Sequence, residues 1–150
     1  MHKRFIKSKI IKTVSDPENG ITKVDVKWTI DFSRLPQMRF LLDFISYAFT
    51  NEDFISIDPT LDYIGNDHYD SFTFTTTASS KVSDKDTYNE DTGYHIALMR
   101  NKKKALHTYN KLINAINNKI DKYFKKPLDI IRMNNDFDIF HLFMKLNKYN

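Results

Sequence analysis

The chain has 150 residues, no cysteine, three glycines and a formal net charge of +4, from 23 Lys/Arg and 19 Asp/Glu. Its 41% hydrophobic and 14% aromatic content suits a packed core and excludes a disordered chain. Zero cysteine excludes a disulfide scaffold, a thiolate metal site and a cysteine nucleophile.

The length predicts one domain over 1–150. No apolar run approaches the ~20 residues of a membrane span. Met1-His2-Lys3-Arg4-Phe5 is basic, but no apolar stretch and small-residue cleavage site follow it. The expectation is a soluble, cytoplasmic protein without a membrane partner.

Residues 4–14 are β-branched and basic, and Ser15-Asp16-Pro17-Glu18-Asn19-Gly20 is a dense turn signal. From Val24 the chain alternates, with Val24, Val26, Trp28, Ile30 and Phe32 apolar and Asp25, Lys27, Thr29 and Asp31 between them. That period of two predicts a half-buried strand, so 4–14 and 21–32 form an antiparallel hairpin. Ser33 suits a helix N-cap and Pro36 a first helical turn. Met38, Leu41, Leu42, Ile45, Ala48 and Phe49 recur at helical spacing and predict an amphipathic helix.

Residues 51–70 hold six carboxylates and no Lys or Arg. The segment reads as irregular, with a short strand near 54–57. Ser71 to Ala78 has strand composition, with Phe72 and Phe74 on one face. A polar loop leads to a helix over about 92–125, capped by Asp91 or Thr92 and ended by Pro127. At ~1.5 Å per residue that helix is nearly 50 Å long. It must break, project, or pair with a second chain as a homodimer. A last helix over about 136–147, capped by Asn135 or Asp136, is apolar around most of its girth, through Phe137, Ile139, Phe140, Leu142, Phe143, Met144 and Leu146. Such a helix requires burial between elements or against a partner. The fold class is α+β: a small antiparallel sheet of three or four strands packed against helices.

The +4 is a sum of unlike parts. Residues 1–50 hold nine Lys/Arg against five Asp/Glu, residues 51–95 two against ten, and residues 96–150 twelve against four. This basic–acidic–basic layout offers two surfaces of opposite sign. Asp58, Asp62, Asp67 and Asp70 define the acidic one, able to imitate a phosphate backbone. Arg100, Lys103, Lys104 and Lys111 define the basic one, with His107 one turn away.

Chemical motifs are sparse. No two of the five histidines stand at i, i+4, the spacing of a helical zinc site. No P-loop, dinucleotide, kinase or nucleophile-elbow pattern occurs. No metal and no cofactor are expected. Asp67-His68-Tyr69-Asp70, with Asp62 nearby, is the densest titratable cluster and the centre of the one enzymatic reading. Tyr69, Tyr88 and Tyr94 suit base stacking or a core equally.

Residues 80–105 carry Asp86, Tyr88, Asn89, Thr92, Gly93, Ile96, Ala97, Arg100, Lys104 and Ala105 in one register. This resembles a strand–loop–helix segment of small, mostly unassigned proteins of phages and prophages of Gram-positive bacteria. There the pattern is Asp-x-Phe-Asp-x-x-x-Gly-x-x-Ile/Leu-Ala-x-x-Arg-Ala-x-x-Lys-Ala. The chain departs from it with Val82 in place of Cys, Asp84 in place of Pro and Asn101 in place of Ala. In physical terms, Gly93 suits close packing of a helix on a strand, Ala97 a tight face, and Asp86 and Asn89 the loop and helix-start amides. These residues are read as structural.

The resemblance implies a genetic setting rather than an activity. The leading expectation is a non-catalytic phage or prophage accessory protein, acting in the bacterial cytoplasm. It binds and inhibits a host nucleic-acid-handling defence protein, most sharply as an anti-CRISPR acting on a Cas nuclease or its guide complex. The alternative is a nucleic-acid-binding accessory protein using the Lys-rich long helix.

Overall fold

The computed structural model describes residues 6–32, 38–64, 71–83 and 85–148, except the side chains of 38, 135–140, 142 and 143. It divides into two compact units, Met1–Leu112 and Ile113–Asn150. Ser33, Pro36, Tyr69 and the Asp67-His68-Asp70 cluster lie outside the described residues.

The first unit is α+β, as its composition and periodicity predict. Strands β1 (Ile6–Asp16), β2 (Ile21–Asp31), β3 (Asp62–Ile64) and β4 (Ser71–Lys81) form one sheet in the order β1-β2-β4-β3, with every neighbour antiparallel. The turn signal closes the β1–β2 hairpin, with Asp16 opposite Ile21. Gly20 has φ +65°, a conformation glycine adopts without cost. The register shifts between Ile10 and Lys12, so Ile11 forms a bulge in β1.

The alternation in β2 is decisive for the core. Val24, Val26 and Ile30 are fully buried and Trp28 and Phe32 nearly so. Opposite them, Phe72, Phe74, Thr76, Ala78 and Ser80 of β4 turn to the same face. Helix α1 (Met38–Ala48) buries Leu42, Ile45 and Ala48, three members of the predicted stripe, and Phe49 beyond its end is buried too.

Residues 54–57 are helix, not strand. Helix α2 (Asn51–Ile57) starts in a capping box: the Asp53 N–H donates to Thr50 Oγ1 at 3.3 Å, and the Thr50 N–H donates to Asp53 Oδ2 at 2.8 Å. Local capping outweighs the β-branched composition. The helix places Phe54 against Phe49 at 5.3 Å and against Phe72 at 5.9 Å between ring centroids. Tyr63 of β3 completes this aromatic cluster, 4.9 Å from Phe72.

Helix α3 (Glu90–Ile120) lies on the sheet through a row of small side chains. Gly93, Ala97, Asn101, Ala105, Thr108 and Leu112 are all buried. They recur every three or four residues, which is one face of a helix. A Cβ at Gly93 would stand 2.6 Å from Thr22 Oγ1 and 3.0 Å from Ser80 Oγ. That contact is possible only without a side chain. The Gly93 carbonyl accepts from Ser80 Oγ at 2.8 Å.

The predicted end of the long helix at Pro127 is not observed. A π-helical turn (Asp121–Lys125) follows α3 and leads into α4 (Lys126–Lys148). Proline lacks an N–H donor, and the π turn just before it already departs from the regular ladder that the missing donor would join. Ile120 and Lys126, on either side of that turn, both keep right-handed helical dihedrals and the Lys126 N–H donates to the Asp121 carbonyl, so the backbone runs helically through Pro127. The predicted last helix is thus the C-terminal half of α4. Its Phe137, Ile139, Phe140, Leu142 and Phe143 side chains lie outside the description. Among the described ones, Leu128, Ile130, Ile131, Met133, Met144 and Leu146 are exposed. No described helix is long and apolar enough to cross a membrane.

Candidate functional site: a basic groove beside a strand edge

The short length of β3 creates the site. It pairs only with residues 71–73 of β4, so the rest of that strand lies at the sheet edge. On this side, Thr60 takes the place of a further paired residue. Its hydroxyl accepts from the Thr75 N–H at 3.0 Å and lies 3.2 Å from the Thr75 carbonyl. Beyond it, two side chains of α3 reach the exposed carbonyls. Lys104 Nζ donates to the Thr77 carbonyl at 2.5 Å, and Arg100 Nη1 to the Ser79 carbonyl at 2.6 Å.

A residue in an antiparallel strand turns its N–H and C=O to the same side. The N–H groups of Thr77 and Ser79 therefore face the same edge, where no partner meets them among the described residues. Between this edge and the flank of α3 runs a groove of about 830 Å³. Thr75 to Ser79 form one wall, Arg100, Lys103, Lys104, His107 and Thr108 the other, and Asp58 closes one end. Arg100, Lys103 and Lys104 against one carboxylate make the groove basic.

Three of the four expected basic residues, Arg100, Lys103 and Lys104, thus line one groove. Lys111 is exposed further along α3. The expected acidic surface divides. Asp62 is exposed on β3, while Asp67 and Asp70 lie outside the described residues. Asp58 is engaged internally: Oδ1 accepts from the Thr60 N–H at 2.8 Å and from its hydroxyl at 2.7 Å, and Oδ2 accepts from Thr108 Oγ1 at 3.1 Å. These bonds hold Thr60 against Thr75 and anchor the loop to α3.

The segment 80–105 starts α3 and fixes it on the sheet. Asn89 Oδ1 accepts from the Thr92 N–H at 3.1 Å and caps α3. Asp86 accepts from Ser83 Oγ at 2.5 Å, and the Tyr88 hydroxyl meets Thr22 Oγ1 at 3.1 Å. Ala97 is fully buried. Asn101, the departure from alanine, carries a buried network. Trp28 Nε1 donates to Thr76 Oγ1 at 2.8 Å, and Thr76 Oγ1 donates to Asn101 Oδ1 at 2.7 Å. Asn101 Nδ2 donates to the carbonyls of Val24 and Ala97, each at 3.0 Å. Every polar atom of the asparagine side chain is satisfied inside the core. The network joins β2, β4 and α3.

Sequence reading misses Thr60, Thr77 and Ser79. Their role depends on where β3 stops, and three residues of strand leave no signal of their own. Among the described residues no group of three or more His, Asp or Glu could hold a metal ion. Comparison with family models, curated proteins and solved structures finds no match for the chain.

Proposed function

We propose that this chain is a binding protein of phage type that blocks a host nucleic-acid-handling defence protein, and that the basic groove is its contact face. The observation that supports this reading is the convergence of Arg100, Lys103, Lys104 and His107 along an exposed strand edge. The class of target follows from the resemblance of residues 80–105 to phage and prophage proteins. The sharpest form is inhibition of a Cas effector or its guide complex. Purified protein is expected to bind such an effector and to lower its target cleavage. Arg100→Glu with Lys103→Glu and Lys104→Glu should remove both effects, whereas Asp62→Lys should leave them. A protein that neither binds the effector nor alters cleavage excludes this target.

Direct nucleic-acid binding is the second reading, favoured by the exposed Lys102, Lys103 and Lys111 of α3. It requires a steep fall of affinity with salt. Two features weigh against it in the groove itself. Arg100 and Lys104 already donate to strand carbonyls, and the adjoining Thr77 and Ser79 N–H groups offer the pattern of a strand, not of a phosphate track. Absence of a mobility shift with DNA or RNA at low salt removes this reading.

A further inference from the structure

The strand edge beside the groove defines the conformation of what binds there. We infer that β4 takes up an extended acidic segment of a partner protein as an additional strand, paired with Thr77 and Ser79. The inference rests on the reading of the groove as a protein-contact face and specifies the partner's chemistry.

Three observations lead to it. First, the edge at Thr77 and Ser79 has the hydrogen-bonding pattern of a strand awaiting a neighbour. Its carbonyls accept only from the flexible ends of Lys104 and Arg100, both exposed side chains. Its N–H groups meet no partner among the described residues. Added strands bind through such main-chain groups. Second, the opposite edge of the same sheet carries the features that prevent strand addition. Strand β1 presents Lys7, Lys9 and Lys12 and is bulged at Ile11, and charge and bulges both discourage pairing. Strand β4 has neither device over Thr75–Ser79, only side-chain caps that can swing away. Third, the groove selects charge. Residues of an added strand that stand opposite Thr76 and Ala78 turn their side chains toward α3, because opposed residues share a face. There they meet Arg100, Lys103, Lys104 and His107. Carboxylates at alternate positions fit this wall.

Binding is then an exchange. Peptide N–H groups take over the Thr77 and Ser79 carbonyls. The released Lys104 ammonium and Arg100 guanidinium pair with the carboxylates. Peptide carbonyls accept from the Thr77 and Ser79 N–H groups. No acceptor is left unmatched, and two donors are gained. Thr60 and Asp58 stop the added strand at Thr75, so the docked stretch is short.

The test uses the full chain and a fluorescent eight-residue peptide of alternating Val and Glu. Saturable binding is expected, with slowed amide exchange at Thr77 and Ser79. N-methylation of the Val amides, which keeps every charge, should weaken binding at least about tenfold, the size of one or two lost hydrogen bonds. Ser79→Pro removes one edge donor at a position where proline is tolerated and should weaken binding similarly, with the far-UV spectrum unchanged. Unaltered affinity on N-methylation, or no protection at Thr77 and Ser79, overturns strand addition. Displacement of the peptide by a short oligothymidine that itself binds more tightly overturns it in favour of nucleic acid. The two readings fail separately. If charge reversal at Arg100 and Lys104 abolishes capture of the defence protein while N-methylation is harmless to peptide binding, the contact face stands and the added strand falls.

Discussion

The two edges of this sheet are protected in different ways. The β1 edge is guarded by its own residues, through Lys7, Lys9, Lys12 and the bulge at Ile11. The β4 edge is guarded by residues from elsewhere, through Thr60, Lys104 and Arg100. A guard built into the strand works whenever the strand exists. A guard lent by another element works only while that element is docked, and it can be withdrawn by a competitor. The difference separates an edge meant to stay closed from one that can exchange its cover.

Each prediction acts on one side of that comparison. The largest effect is expected at Gly93. Gly93→Val forces a branched side chain into the Thr22 and Ser80 hydroxyls and should cost about 3 kcal/mol, read from chemical denaturation. The β4 edge should lose the Lys104 and Arg100 caps that α3 carries, with faster exchange of the Ala97 and Asn101 amides of α3 than of those in β2. Asn101→Ala removes the buried bonds to Thr76, Val24 and Ala97 and should cost about 2 kcal/mol. Near-UV signals of Trp28, whose partner Thr76 is released from Asn101, should change with it. Thr60→Val keeps the shape and removes the hydroxyl. A loss of about 1 kcal/mol is expected, with faster exchange of the Thr75 amide as the specific sign. On the other edge, Lys7→Thr with Lys9→Thr and Lys12→Thr should change monomer stability by less than about 0.5 kcal/mol. Sedimentation should instead show concentration-dependent self-association, because the charged guard is gone.

The smallest effect concerns the turn that links β1 to β2. The Asn19 side chain donates to Asp16 Oδ2 at 2.7 Å and the Asn19 N–H to Oδ1 at 3.2 Å, and these bonds hold the Asp16 carboxyl below its ordinary value. A carboxyl depressed on folding adds stability above its unfolded value, and the gain vanishes as pH falls through the folded one. The difference in Tm between the native chain and Asp16→Asn should therefore be present at neutral pH and shrink toward acid.

The hairpin was legible because two local signals agree there, the Asp16–Gly20 turn and the period of two from Val24. The α1 stripe was legible for the same reason. Residues 51–57 misled because β-branched composition competes with a capping box, and Thr50 with Asp53 decides that contest. Pro127 misled because a π turn at Asp121–Lys125 lets the helical backbone continue past it. At the candidate site, Arg100, Lys103 and Lys104 could be grouped from their spacing on one helix. Thr60 could not, since its role arises only when β3 ends and brings it to Thr75. Asn101 looked like a mere departure from alanine. Its value depends on Thr76 and Val24, distant in sequence and adjacent only once α3 is docked.

The sequence by itself determined the α+β class, the hairpin, the core face of β2 and the clustering of positive charge on α3. Those properties follow from periodicity and turn chemistry, which act over a few residues. Only the tertiary structure decided that β4 lies at an edge, that two of the cations cap it, and that Asp58 bonds Thr60 and Thr108 at the end of the groove. Edges and grooves are made by which strands meet and where one stops. That outcome belongs to long-range packing and to no single segment of the chain.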